Sequence, residues 1–251
     1  MTLAEYYGLP EGTKATLRYA SFYDSVSDEF PCPEDMSYAF YNQQRNVIKP
    51  IDTSSVTNMQ YMFYGCKLLV VPEMDTSNVT NMYNLFSSCG LYYVDNPNWN
   101  TSKVTNMDSL FNGCGNLVWV DVSGWDTSKV TTMSNMLSNV GKLREIGAID
   151  CGGLSSSNKY PLTSYSDNTI LTKLGGFLNA KMSWDNAYGL AKLPNLTYES
   201  CINVLNGLYD FTGNGQTPTS SQGKLKVHKN FLTLVGDEIS IGTNKGWTIT
   251  S

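Results

Sequence analysis

"DTSNVTNMYNLFSSC", residues 75–89, decides how the chain is read, because the phrase returns. "DTSSVTNMQYMFYGC" begins at Asp52, "NTSKVTNMDSLFNGC" at Asn100 and "DTSKVTTMSNMLSNV" at Asp126, so the starts lie 23, 25 and 26 residues apart. A shorter relative, "DMSYAFYNQQ" at Asp35, precedes "NMQYMFYGCK" at Asn58 by 23 residues. Self-similarity at this kind of period marks a repeat architecture, in which each copy buries its apolar side against its neighbours.

Aligned, the copies give five apolar columns: Val56/Val79/Val104/Val130, Met59/Met82/Met107/Met133, Met62/Leu85/Leu110/Met136, Phe63/Phe86/Phe111/Leu137 and Cys66/Cys89/Cys114/Val140. Their offsets of 0, 3, 6, 7 and 10 predict one face of a helix of about two or three turns. Such a helix is too short to persist alone and needs its neighbours. The leading Asp-Thr-Ser supplies side chains that cap a helix start. After the cysteine come "LLVVPEM", "LYYVDN" and "LVWVDVSGW", which read as short strands. A further apolar column, Ile51, Met74, Trp99, Trp125 and Ile149, precedes each new copy and is assigned to the core. The expected fold is α/β: a solenoid with a parallel sheet on one side, short helices on the other and non-repeat caps, which the resemblance given next makes leucine-rich-repeat-type. Neighbouring strands would lie roughly 4.8 Å apart.

"DTSNVTNM…LF…C" followed by an L-x-x-L-like strand resembles the BspA-like leucine-rich repeats of bacterial surface proteins and related phage-encoded proteins. The resemblance covers residues 35–150. The tail, from "LTYESCINVLNGLYDFTGNG" to "GTNKGWTIT", resembles the endings of such proteins from gut bacteria and their phages. It implies adhesion or recognition rather than catalysis.

A chain of 251 residues, 41% hydrophobic, can bury a sizeable core. Its net charge of −5 opposes a nucleic-acid groove, which needs a basic patch. No stretch reaches the length of a transmembrane helix. The start "MTLAEYYGLPEGTKATL" lacks the basic and apolar regions of a signal peptide. The expectation is a mature fragment, or a protein that leaves the cell another way, as a virion component does on lysis. Six cysteines suggest disulfides at first sight, but Cys66, Cys89 and Cys114 share one interior column with Val140. Stacked helices would hold them roughly 8–10 Å apart, so reduced, buried thiols are expected. The state of Cys32, Cys151 and Cys201 is left open.

Three regions follow. Residues 1–34 lie outside the repeat. "ATLRYASFY" reads as a capping strand, and Tyr6, Tyr7, Tyr19, Phe22 and Tyr23 offer the alternative of a docking segment. Residues 35–150 hold the repeats, and 151–251 form irregular coils and a C-terminal cap. Within the last region, "CGGLSSSNKYPLTSYSDN" reads as a loop and "TILTKLGGFLNAKM" as strand-like segments. Residues 197–210 predict a helix capped by Thr197, with Ile202, Leu205 and Leu208 as its stripe and Val204 beside it. "KLKV" reads as a strand, "GDEISIGTNKG" as a short helix stopped by Gly246, and "WTIT" as a closing strand.

Little in the sequence points to chemistry. The one histidine, His228, has no motif supplying a nucleophile or an orienting acid and is assigned to the surface. There is no G-x-S-x-G, Walker loop, H-E-x-x-H or C-x-x-C. The Asp52/Asp75/Asn100/Asp126/Asp150 column is explained by capping, since the Gly-rich calcium repeat is missing. No catalytic residue, metal ligand or cofactor is assigned.

One feature exceeds what a core requires. The pairs Val70/Val71, Tyr92/Tyr93, Val118/Trp119 and Arg144/Glu145 fall between inward strand positions and should face solvent. Val71, Tyr92, Tyr93, Val118, Trp119, Arg144 and Glu145 are therefore the candidate binding residues, with Trp119 and the tyrosines able to stack on a sugar or anchor a protein. The expected function is non-enzymatic recognition or adhesion, by a phage tail or receptor-binding protein or by a bacterial surface adhesin. The expected location is the virion or the cell exterior. The partner would be a host-cell protein or surface glycan, or other virion proteins, with no nucleic acid and no membrane insertion. A structural module of a larger assembly is the alternative, and a carbohydrate-active enzyme a remote one.

Overall fold

The computed structural model describes residues 32–44, 51–69, 71–95, 98–154, 161–162, 170–181, 183 and 189–251. Residues 1–31 of the segment read as a cap or dock, with Tyr6, Tyr7, Tyr19, Phe22 and Tyr23, and Val70 lie outside the described residues, as does most of the loop that follows Leu154.

Equivalent residues of successive copies pair in parallel along the repeat. Asp35 bridges Asn58, Asn58 bridges Asn81, Asn81 bridges Asn106, and Asn106 bridges Thr132. After the cysteine column the chain forms β1 (Tyr93–Asp95), β2 (Trp119–Asp121) and β3 (Glu145–Ile146), then β4 (Ile149–Asp150), β5 (Lys173–Leu174) and β6 (Phe177–Leu178). Strands β1, β2, β3 and β5 make one parallel sheet, with Val94 opposite Val120, Val120 opposite Ile146 and Ile146 opposite Leu174. All four of these side chains are buried. Strands β4 and β6 pair separately, also in parallel.

The helices expected over 56–66 and its equivalents do not form. Among the described residues of 52–150 the chain is turn, bridge and strand, with no α-helix. The N–H groups of Met59, Tyr61, Phe63 and Gly65 donate to Asn81, Tyr83, Leu85 and Ser87 of the next copy, at 3.0, 2.9, 2.9 and 2.8 Å. Those of Met62, Tyr64 and Cys66 donate three residues back, to Met59, Tyr61 and Phe63. Backbone donors thus alternate between neighbour and self, and this turn ribbon satisfies them without a helix. Two residues of each ribbon adopt left-handed φ: Tyr61 (56°) and Gly65 (69°), Asn84 (55°) and Ser88 (60°), Ser109 (57°) and Gly113 (75°), Asn135 (57°) and Asn139 (58°). A right-handed helix needs φ near −63° throughout, so a positive value every fourth residue excludes it.

The inward columns are nonetheless those expected. The Val, Met, Met/Leu, Phe/Leu and Cys/Val positions of all four copies are buried, with Phe40, Trp99 and Trp125 among them. Phe40, Phe63, Phe86 and Phe111 stack in sequence, with centroids 5.1, 5.3 and 5.9 Å apart. The six cysteines are free and buried. Cys66, Cys89 and Cys114 donate Sγ–H to the carbonyls of Phe40, Phe63 and Phe86, one copy back, at 2.9, 2.9 and 3.0 Å. Two threonine columns add rungs: Thr53, Thr76, Thr101 and Thr127 donate forward, and Thr57, Thr80, Thr105 and Thr131 donate back.

At the C-terminal end a true helix replaces the ribbon. Helix α1 (Tyr198–Gly207) packs on β5 and β6. Thr197 Oγ1 accepts from Ser200 N, the expected cap, and Ser200 Oγ accepts from Leu174 N at 2.9 Å. Its buried stripe is Cys201, Val204, Leu205 and the following Leu208, while Ile202 is only partly covered. The orphan carbonyls at its end are met by Lys245 Nζ, which donates to Leu205, Asn206 and Leu208 at 3.3, 2.6 and 3.1 Å. Beyond it lie β7 (Lys224–Lys226), α2 (Lys229–Val235), α3 (Ser240–Thr243) and β8 (Thr248–Thr250), with β7 and β8 parallel. Gly246 breaks α3 from β8 at φ 89°. Helix α2 was not expected, and His228 is its cap: Nδ1 accepts from Asn230 N at 3.2 Å.

Candidate functional site

The sheet and the turn ribbon each leave one surface unaccounted for by the core. On the sheet, backbone hydrogen bonds align Leu69, Tyr92, Val118, Arg144 and Thr172 in one row. Strand register aligns Tyr93, Trp119, Glu145 and Lys173 in the next. Tyr92 and Tyr93 are 40% and 54% exposed and Leu69 is 40% exposed; Val118 and Trp119 are half-buried. Arg144 is exposed, and half-buried Glu145 pairs with Lys173 at 3.3 Å. Six of the seven expected binding residues therefore come together in two adjacent rows.

Val71 does not join them. It packs against the core, because Leu68, not Leu69, is the buried counterpart of Leu91. A one-residue shift of register exchanges inward and outward side chains, so Leu69, whose carbonyl accepts from Tyr92 N, takes the outward place expected of a later valine.

The ribbon carries a second surface that the sequence reading missed. Tyr38 stacks on Tyr61 at 4.7 Å and 13°, and Tyr41 on Tyr64 at 5.0 Å and 5°. Tyr83 meets Tyr61 edge-on at 5.2 Å, and the paired Tyr83 hydroxyl, with partial burial, pushes the Tyr61 phenol above its ordinary pKa. One copy further on, Asn84 stands in the Tyr61 column and Ser87 in the Tyr64 column. An open groove of about 620 Å³ begins there, lined by these tyrosines and by Asn84, Ser88, Asn112 and Asn139 among others. The signal was present in the aligned copies, as Tyr-Tyr columns that turn to Asn and Ser.

The acidic column has a local job. Asp52, Asp75, Asn100 and Asp126 accept from the N–H of Ser54, Ser77, Ser102 and Ser128, each two residues on, so they cap turns rather than helices. Ser54 and Ser128 hold Asp52 and Asp126 below the usual carboxylate range, through side-chain and then backbone hydrogen bonds. Among the described residues no group of three His, Cys, Asp or Glu converges to hold a metal ion. No helix among them is long and apolar enough to cross a membrane.

Comparison with known proteins places one label on this arrangement. Residues 34–149 match the model of a family described as Mycoplasma protein of unknown function, DUF285. That family is associated with BspA-like repeat proteins, and the match spans the copies that pair through the Asp35–Thr132 bridges. No curated protein and no solved structure matches the chain.

Proposed function

We propose that the stacked copies form a leucine-rich-repeat-type solenoid whose function is non-enzymatic recognition, with turn ribbons in place of helices. The partner is a protein on a cell surface, engaged by the two sheet rows. The observation that carries this reading is the run of Leu69, Tyr92, Tyr93, Val118 and Trp119, apolar and aromatic in adjacent copies, bordered by Arg144 and Lys173. An aromatic centre with a charged edge is the composition of a protein-binding patch. The chain's polar groups support recognition over catalysis: the Asp column is engaged in turns and His228 in a helix cap.

Binding to intact cells of candidate hosts, measured with the purified chain, tests the reading. Trp119→Ala and Tyr93→Ala should reduce binding at least tenfold while thermal unfolding stays unchanged. Retained binding in the double variant would remove the sheet rows from the function. In the same reading the protein is a phage tail or receptor-binding component or a surface adhesin. Mass spectrometry of purified phage particles against cell envelope separates the two.

A further inference from the structure

We propose that the groove on the turn ribbon is a second binding site, for a neutral sugar. The tyrosine stack stops abruptly: Tyr64 has Tyr41 on one face, and the place of the next ring is taken by the small, buried Ser87. The C–H face of a pyranose, similar in size to a tyrosine ring, can continue the stack on that face, against the negative face of the ring. Asn84 is 6% exposed, lines the groove and makes no side-chain hydrogen bond to a described residue. Its amide atoms are not sealed from solvent, and a ligand hydroxyl, which both donates and accepts, can take the place of the water they meet in the groove.

Asn112 adds a second amide. Its Oδ1 accepts from Asn139 Nδ2 at 3.0 Å, and no described residue accepts from its own Nδ2. No residue lining the groove carries a formal charge, so an uncharged polyhydroxylated ligand matches it better than a phosphate, sialic acid or basic peptide. The volume falls within the range of about 300–1,000 Å³ typical of small-ligand sites, enough for a short oligosaccharide. None of these residues belongs to the sheet rows, so the two sites stand or fall separately.

The test is a printed array of neutral and acidic oligosaccharides probed with the full chain, followed by calorimetric titration of the strongest neutral oligosaccharide. Neutral glycans should be retained and acidic ones should gain nothing from their charge. Tyr64→Ser copies the residue of the next copy, and Asn84→Gly keeps the left-handed backbone while deleting the amide. Each should weaken binding at least tenfold, and Trp119→Ala should leave it unchanged. If Tyr64→Ser lowers the melting temperature, Asn84→Gly alone decides. Absence of neutral-glycan binding overturns the proposal. So does binding that survives loss of the Asn84 amide, or capture of proline-rich peptides instead of sugars.

Discussion

Phe63 and Phe86 lie face to face, 5.3 Å between centroids and 8° from parallel, although 23 residues separate them. Phe86 also stacks on Phe111 and on Trp99, at 5.9 Å each, so its ring joins three copies at once. Phe86→Ala should therefore cost about 3–5 kcal/mol, the usual range for emptying a buried aromatic site. Chemical denaturation should show a lower midpoint with an unchanged slope. A loss under about 1 kcal/mol would mean that the column closes over the gap.

Gly65 sits at φ 69° against the facing Asn42, whose Oδ1 a Cβ would overlap. The equivalent positions are Asn42, Ser88, Gly113 and Asn139, so the site tolerates a side chain only where the neighbour leaves room. Gly65→Ala should destabilise by about 1–2 kcal/mol, from the left-handed backbone and the contact together. Gly65→Ala combined with Asn42→Gly should recover part of it. Thermal unfolding of the pair decides whether the contact or the backbone dominates.

The inward positions were legible in the sequence, and the element that carries them was not. Met59, Met62, Phe63 and Cys66 are spaced as on a helix, because a ribbon of turns closing three residues back also returns side chains to one side at offsets of three, four and seven. Apolar spacing alone does not separate the two. The deciding evidence was the polar column Asn42/Gly65/Ser88/Gly113/Asn139, rich in residues that accept a left-handed backbone. The sheet rows were found from strand alternation, with an error of one residue at Val71 where the copy is shorter. The groove depends on how two tyrosine columns end, which a consensus averages away. Helix α2 escaped because its cap is a histidine, a residue type seldom read as a start signal.

Acid should loosen the turn corners. Asp52 and Asp126 titrate below the ordinary aspartate value in the folded chain, and an unfolded aspartate titrates at about 3.9. Their contribution is therefore complete above about pH 4 and is lost as pH falls through the depressed folded values. Asn100 performs the same role uncharged, accepting from Ser102 N at 3.2 Å. Asp52→Asn with Asp126→Asn should fold and give a shallower fall of melting temperature between about pH 4 and 2. An unchanged acid limb would show that the serine contacts do not couple to folding.

The thiols should produce the opposite limb. Burial pushes Cys114 up to about 12 and Cys201 to about 11; burial and then Asp52 push Cys32 to about 11. Burial, with the Cys66 thiol beside it, also raises Cys89. An unfolded thiol ionises at about 8.5, so stability should fall as pH rises from there toward the folded values. Native protein should react slowly with a thiol reagent at neutral pH, and all 6 cysteines should react once it is unfolded. Cys89→Val copies Val140, the residue the last copy carries in this column. It gives up the Sγ–H bond to Phe63, but that carbonyl still accepts from Cys66 N at 3.1 Å, so no acceptor is orphaned. The variant should lose about 1 kcal/mol or less at pH 7 and retain more of its stability between about pH 9 and 11. A severe loss at pH 7 would make the thiol rung, rather than the packing of the column, what holds neighbouring copies together.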